Sequence, residues 1–251
     1  MNSGILLINK PQDITSFDCI RRLKRLLPRG TKIGHAGTLD PFATGLLLVC
    51  IGRDATRLVP QLMQLPKTYV TSAQLGLRTD SGDYSGTPVE ELTVPNDLSV
   101  EKLQAAASNL MPSYEQKPSI FSACKHQGEP LYKWARSGVL PMDELLDIVT
   151  KKAKLVHLYT CRIDNWQSPV MTVTAMVSQG TYIRVLVDDI AQQVDSGACA
   201  VTLARTAVGP FALAQAQNLD SIDSFDTIIN ALLTADNVST LLDPGSNPGN
   251  T

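Results

Sequence analysis

Apolar stretches alternate along the chain with polar, Gly- or Pro-bounded turns, and this pattern predicts most of the elements. Residues 4–9, GILLIN, read as a short buried strand that ends in the turn Lys10-Pro11-Gln12-Asp13. Thr15 or Ser16 then caps a helix whose apolar positions Phe17, Ile20, Leu23 and Leu27 recur at helical spacing. Its other face carries Arg21, Arg22 and Arg25, and Pro28-Arg29-Gly30 stops it. A loop over 34–41 leads into the apolar run 46–51. Residues 67–75 predict a strand, being β-branched and aromatic at the start, and 76–86 a loop. Further on, the pattern predicts a helix over 100–110, a Pro-bounded connection over 111–118, strands over 154–163 and 170–177, a helix over 181–194 and a strand over 200–208. Helices interspersed with strands, without a regular βαβ repeat, predict an α+β fold around a mixed, largely antiparallel sheet flanked by helices.

Composition narrows the class. At 251 residues with 43% hydrophobic and 18% charged positions, the chain buries a sizeable core and is not a disordered polymer. No run of about 18 apolar residues predicts a membrane span, and the first residues lack a secretory pattern, so a cytoplasmic location is expected. The five cysteines (Cys19, Cys50, Cys124, Cys161, Cys199) are scattered, which predicts reduced thiols and neither disulfides nor a zinc site.

The net charge of −2 conceals an asymmetry. From residue 206 onward there is no Lys or Arg but five aspartates, leaving all 22 basic residues against 19 acidic ones in 1–205. Arg21, Arg22, Lys24, Arg25, Arg29 and Lys32 form a run with no acid among them. Such a run is either a solvated helix face or a stripe that tracks phosphates.

Two segments carry candidate chemistry. In G-H-A-G-T-L-D-P-F-A-T-G at 34–45, Asp40 precedes a proline, which favours extended backbone and places its carboxylate outside any helix. Taken alone it is also an ordinary turn aspartate. In G-T-Y-I-R at 180–184, Arg184 is either a surface partner of Asp188 or a guanidinium fork for a catalytic carboxylate. Tyr69 alone reads as a core aromatic. No nucleotide-binding glycine motif, metal-ligand pattern or G-x-S-x-G is present.

Six segments in order resemble the TruB-type tRNA pseudouridine synthases. They are Lys10-Pro11 with Thr15-Ser16, G-H-A-G-T-L-D-P-F-A-T-G-L-L, K-T-Y at 67–69 with L-G-L-R-T-D at 75–80, the stretch 119–136, G-T-Y-I-R, and L-A-R-T-A-V-G-P-F at 203–211. The resemblance covers about residues 4–211. It implies the pseudouridine synthase fold and isomerisation of the T-loop uridine (position 55) of tRNA without a cofactor or metal. It implies Asp40 as the catalytic carboxylate, Tyr69 as the ring stacked on the flipped uracil, and Arg184 as the partner of Asp40. His35, Leu203, Lys10 and Tyr182 are implied to bind substrate, with Arg21, Arg22 and Arg25 on the phosphates; Lys125, Lys133 and Arg136 offer a second patch. The implied partner is the tRNA T-arm stem-loop, bound by a monomer with no membrane attachment.

Asp13 stands where the family usually has Gly, and Cys199 and Ala204 replace a His and an Arg. The expected organisation is a catalytic domain over 1–211, a helical extension over 212–242 and a flexible tail over 243–251. The 40 residues after Phe211 are too few for a helix plus the PUA-type domain that bacterial members usually carry, so the expectation is that either this sequence is truncated or that domain is absent. The rival readings are an RNA chaperone without chemistry, a guide-RNA-dependent synthase and a small-molecule enzyme. Asp40 argues against a pure binder, which gains nothing from an anion facing phosphates.

Overall fold

Strand β1 (Gly4–Lys10) opens the chain and is followed by helix α1 (Ser16–Leu26). Thr15 is the cap: its hydroxyl accepts from the Asp18 amide at 3.1 Å while Asp18 accepts from the Thr15 amide at 2.9 Å. Next come β2 (Ile33–Ala36), β3 (Thr44–Ile51) and the short helices α2 (Arg53–Arg57) and α3 (Val59–Gln64). The middle of the chain forms β4 (Lys67–Leu75), β5 (Leu77–Thr79), β6 (Pro88–Glu91), α4 (Val100–Asn109) and β7 (Ser113–Gln116). A small hairpin of β8 (Lys125–His126) and β9 (Glu129–Pro130) precedes α5 (Leu131–Ser137) and α6 (Met142–Lys151). The long strand β10 (Lys154–Gln167) then pairs with β11 (Val170–Val177), followed by α7 (Ile183–Gln192) and β12 (Ala198–Val208). The last elements are β13 (Phe211–Ala212), β14 (Gln217–Asn218), α8 (Phe225–Ala231), β15 (Leu233–Thr234) and α9 (Ala235–Leu242). This computed structural model describes residues 3–122 and 124–242, so the tail expected over 243–251 lies outside the described residues.

The chain divides into two units, one built from both ends (through Thr68 and from Ala204) and one from Tyr69–Leu203. The boundaries fall inside β4 and β12.

In the first unit, β3 is sandwiched between antiparallel β1 and antiparallel β2. Its residues are apolar in succession because both faces are covered. Leu47 and Val49 join Leu6, Ile8, Cys19 and Leu23 on the α1 side. Leu46, Leu48 and Cys50 join Ile5, Leu7, Leu62 and Phe211 on the other. β12 lies parallel to the start of β3, with Ala204 opposite Thr44 and Arg205 opposite Gly45. Gly45 has φ +105°, and any side chain there would strike the Arg205 backbone, so this crossing requires glycine.

In the second unit, β10 pairs antiparallel with β11 over most of its length and with β7 at its start. Residues Leu131, Leu145, Ile148 and Val149 form a separate apolar cluster under Ile120.

The α+β architecture with a mixed, mostly antiparallel sheet is as the pattern predicts, and the strands at 67–75 and 170–177 match residue for residue. Several expectations are corrected. Residues 34–36 of the expected loop belong to β2, because each pairs with β3. Part of 76–86 forms β5, paired with β6, and 113–116 of the expected connection forms β7. Phe17 is 63% exposed, not part of the core stripe. Among the described residues no helix is long and apolar enough to cross a membrane, and no cluster of three metal-ligating side chains occurs.

Candidate active site

The loop that carries Asp40 is fastened on both sides of that residue. Leu39, before it, is gripped by Ser16 from the first turn of α1: Ser16 Oγ accepts from the Leu39 amide at 2.9 Å and donates to its carbonyl at 3.3 Å. Pro41, after it, offers its carbonyl to Lys10 Nζ at 3.1 Å and to the Asp13 amide at 2.9 Å. A turn closes the loop, the Ala43 amide donating to the Asp40 carbonyl at 3.1 Å. Asp40 itself stays half-buried while Leu39 is buried. The backbone is thus fixed and the carboxylate projects from a defined point.

Lys10 is fully buried, and its three N–H donors go to the carbonyls of Pro11, Ile14 and Pro41 at 2.8, 2.8 and 3.1 Å. Burial lowers its pKa to about 8, against the opposing pull of Cys19, Asp40 and Asp13. The expectation that Lys10 contacts substrate is therefore corrected: with no exposed surface and every donor used, it is an internal strut of the Asp40 loop. Asp13, in the same turn, adopts φ +66°. The left-handed conformation that a glycine would supply is kept, with an aspartate tolerating it.

Arg205 lies within the motif at 203–211, which implies no role for it. It is 1% exposed; its Nε donates to the Leu46 carbonyl at 2.8 Å and one terminal nitrogen to the Gly37 carbonyl at 3.0 Å. It anchors the near end of the same loop. His35, on β2, is half-buried with Nδ1 buried and unpartnered among the described residues. Burial, then Arg205, holds its pKa below the ordinary histidine value. His35 is thus a neutral ring near neutral pH, suited to packing and hydrogen bonding rather than to charge.

The basic face of α1 is exposed, as expected. Arg21 bonds Asp18, and Arg22 bonds Asp220 at 2.6 Å. Arg21 also lies over the exposed Phe17 ring, 6.0 Å from its centroid.

The second unit holds Tyr69, Tyr182, Arg184 and Leu203. Tyr69 is half-buried on β4 and Leu203 is buried on β12. Arg184 sits in the first turn of α7 and is 5% exposed. Its guanidinium donates to the Ser81 carbonyl and, at 3.2 Å, to the Phe121 carbonyl, and it lies 3.7 Å from Asp83 Oδ2. The surface pairing with Asp188 is corrected: Asp188 accepts from Arg78 Nε at 2.8 Å and from the Ala198 amide at 2.9 Å, while Arg184 is buried. Neither Asp83 nor the Ser81 carbonyl was legible as a partner. A cavity of about 470 Å³ opens beside Arg184, with Ile120, Leu146 and Val149 on its apolar wall. In the expected second patch, Lys133 is paired with Glu129 at 2.5 Å and Arg136 lies over the Tyr132 ring, whereas Lys125 is exposed.

Comparison with known proteins gives this geometry a family. Over 95% of its length the chain superimposes on a chain from the crystal structure of a Cbf5–Nop10–Gar1 complex, with a TM-score of 0.67 and 22% identity. A structure of an H/ACA RNP bound to a substrate RNA containing 2′-deoxyuridine matches with a TM-score of 0.60 and 23% identity over 87% of the chain. The present chain spans 62% and 52% of those two chains. These likenesses define the fold as that of the pseudouridine synthases. The family model "TruB family pseudouridylate synthase (N terminal domain)" matches residues 24–183. Proteins named tRNA pseudouridine synthase B are similar along most of the chain. That of Hydrogenovibrio crunogenus is 36% identical over 220 residues, covering 88% of this chain and 69% of the relative. That of Idiomarina loihiensis is 38% identical over 222 residues, covering 88% and 68%. The chain belongs to the TruB family of pseudouridylate synthases.

Proposed function

We propose that this chain isomerises the T-loop uridine at position 55 of tRNA to pseudouridine, acting as a cytoplasmic monomer without guide RNA or cofactor. The observation that carries the reading is the fastening of Leu39 and Pro41, which presents the Asp40 carboxylate on a loop with no freedom to retreat. A protein that only binds RNA has no use for such an anion. The similarity at 36–38% identity to proteins named tRNA pseudouridine synthase B supports tRNA as the substrate.

In this reaction the N1–C1′ bond of the uridine breaks, C5–C1′ forms, C5 loses its proton and N1 gains one. No redox equivalent or water is consumed. Asp40 acts as nucleophile or base toward the nucleoside. Extruding a uridine from a folded loop costs a few kcal/mol. Stacking on Tyr69, half-exposed on its strand, returns about 1–3 kcal/mol. The phenol is also placed in the assignment as acceptor of the C5 proton. Arg184 contributes a fixed positive charge, held by carbonyls that leave it no rotational freedom. His35 and Leu203 line the base, and α1 attracts phosphates through Arg21, Arg22 and Arg25. The catalytic segment extends over residues 1–211, with 212–242 an extension of it.

The test uses a T-stem-loop RNA with tritium at uridine C5, incubated with wild type and with Asp40→Asn, no guide RNA being added. Tritium released by the wild type alone supports the reading. Release by neither protein, with RNA binding intact, overturns it in favour of a binder or chaperone.

A further inference from the structure

The beginning of α7 is held by a side chain that belongs to none of the assigned roles. Gln116, on β7, is 1% exposed. Its carboxamide meets both backbone polar groups of Tyr182: the Tyr182 amide donates to Oε1 at 2.7 Å, and Nε2 donates to the Tyr182 carbonyl at 3.1 Å. Nε2 also donates to the Tyr114 hydroxyl at 2.6 Å, and that hydroxyl donates to Asp189 Oδ2 at 2.8 Å. Strand β7 therefore grips α7 at the residue that caps it and again through Asp189 further along the helix.

Arg184 leaves the helix two residues after Tyr182. Its guanidinium meets the Phe121 carbonyl, which follows Gln116 on the same connection. Gln116 thus anchors the helix turn from which the arginine departs. The Tyr182 backbone is extended there, φ −95° and ψ 109°, and no side chain of its own caps the helix.

We propose that Gln116 is the positioning residue of Arg184, setting the direction and distance of its guanidinium through the Tyr182 backbone. The proposal rests on the reading that Arg184 serves uridine isomerisation. A displacement of about 1 Å at a reacting group costs about a hundredfold in rate, so loss of the carboxamide acts on the chemical step. Tyr114 and Asp189 stiffen the carboxamide; the charged groups near Asp189 are Asp188 and Arg78.

The experiment is a double-mutant cycle under single-turnover conditions with the tritiated T-stem-loop RNA. Gln116→Met keeps length and removes every hydrogen bond. It is expected to slow the wild-type protein by about ten- to a hundredfold, with RNA affinity within about threefold. In an Arg184→Lys background the same change is expected to cost under about threefold, because the group it positions is already gone. Equal slowing in both backgrounds signals a general loss of packing and overturns the proposal, as does a Gln116→Met protein at wild-type rate. Should Gln116→Met fail to fold, Gln116→Glu takes its place. It still accepts from the Tyr182 amide but donates nothing, and the same coupling to Arg184→Lys is required of it. An Arg184→Lys protein as fast as wild type shows that charge alone suffices at that position and overturns the positioning proposal, whereas an Arg184→Ala protein as fast as wild type defeats the catalytic reading of Arg184 itself, an outcome distinct from additivity.

Discussion

Ser16 grips the two polar groups of Leu39 with one hydroxyl, accepting from its amide at 2.9 Å and donating to its carbonyl at 3.3 Å across 23 residues of sequence. The residue looks like a helix cap, but Thr15 takes that task and frees Ser16 for the loop. Ser16→Ala leaves a buried amide without its acceptor, which is expected to cost about 1–3 kcal/mol of stability. With the Asp40 loop loosened, single-turnover isomerisation is expected to fall about tenfold or more while RNA affinity stays within about threefold. Denaturant titration and rapid-quench assays measure the two effects; an unchanged rate would show that the clamp serves stability alone.

Asp40→Asn preserves shape and removes the charge. Turnover is expected to vanish, with RNA binding within about tenfold of wild type because affinity rests on phosphates and stacking. Comparable turnover in this variant would falsify the assignment.

Arg184→Lys retains the charge but loses the planar fork whose two terminal nitrogens bond the Ser81 and Phe121 carbonyls separately. A rate loss of about a hundredfold is expected, with folding retained as judged by the thermal transition. Restoration of wild-type rate by lysine would mean that charge alone suffices.

Asp189 supplies a pH signature. Burial first, with Asp188 adding, raises its carboxyl to about 6 from 3.8, against the hydrogen bonds from Tyr114 and Gln116 and the charge of Arg78. Between those two values the folded protein holds a proton that the unfolded chain has released, so this group's contribution to stability falls as pH rises through the window. Asp189→Asn still accepts from Tyr114 but cannot ionise. The variant is therefore expected to gain in thermal stability relative to wild type as pH rises through the window from 3.8 to about 6, most steeply in the middle of that window, with the gain levelling off above it. A difference between the two melting curves that is constant with pH would refute the shift.

The basic face of α1 is graded by its neighbours. Arg22 already faces Asp220 and Arg21 faces Asp18, whereas Arg25 is exposed one turn further on. Arg25→Ala is expected to lower the slope of log affinity against log salt by about 0.7–0.9, the loss of one phosphate contact. Arg22→Ala is expected to lower it by less, because part of its charge is offset within the protein. Filter binding across a salt series compares them, and equal slopes for all three proteins would remove α1 from the RNA interface.

Much of the frame was legible because both periodicities were strong. The unbroken apolar run of β3 marks a strand covered on two faces, and the capping pattern at Thr15 marks the start of α1. Phe17 misled for a geometric reason. The buried stripe of α1 contains Ser16, Cys19, Ile20 and Leu23, and a residue next to Ser16 is turned about 100° away from it. A polar residue had taken the inward place.

The same cause hid the struts of the site. Lys10, Ser16 and Arg205 are buried polar residues that satisfy backbone carbonyls, and a carbonyl leaves no mark in a sequence. The acid and the arginine announce themselves by motif; the residues that hold them in place do not. Helices α2 and α3 escaped for lack of length, five and six residues giving too little periodicity to read.

The pairing of β1 has a consequence for the order in which the protein is made. One edge of β1 is satisfied by β3, within the first 51 residues, but the other is met by Gln217–Asn218 and Leu233–Thr234. During synthesis that second edge stays open until the ribosome has delivered residue 234, while all of Tyr69–Leu203 emerges in between. The strand translated first is completed last. Lys10, which ends that strand, finds its three carbonyls within the first 41 residues, so the brace of the Asp40 loop is available long before the open edge of β1 is covered.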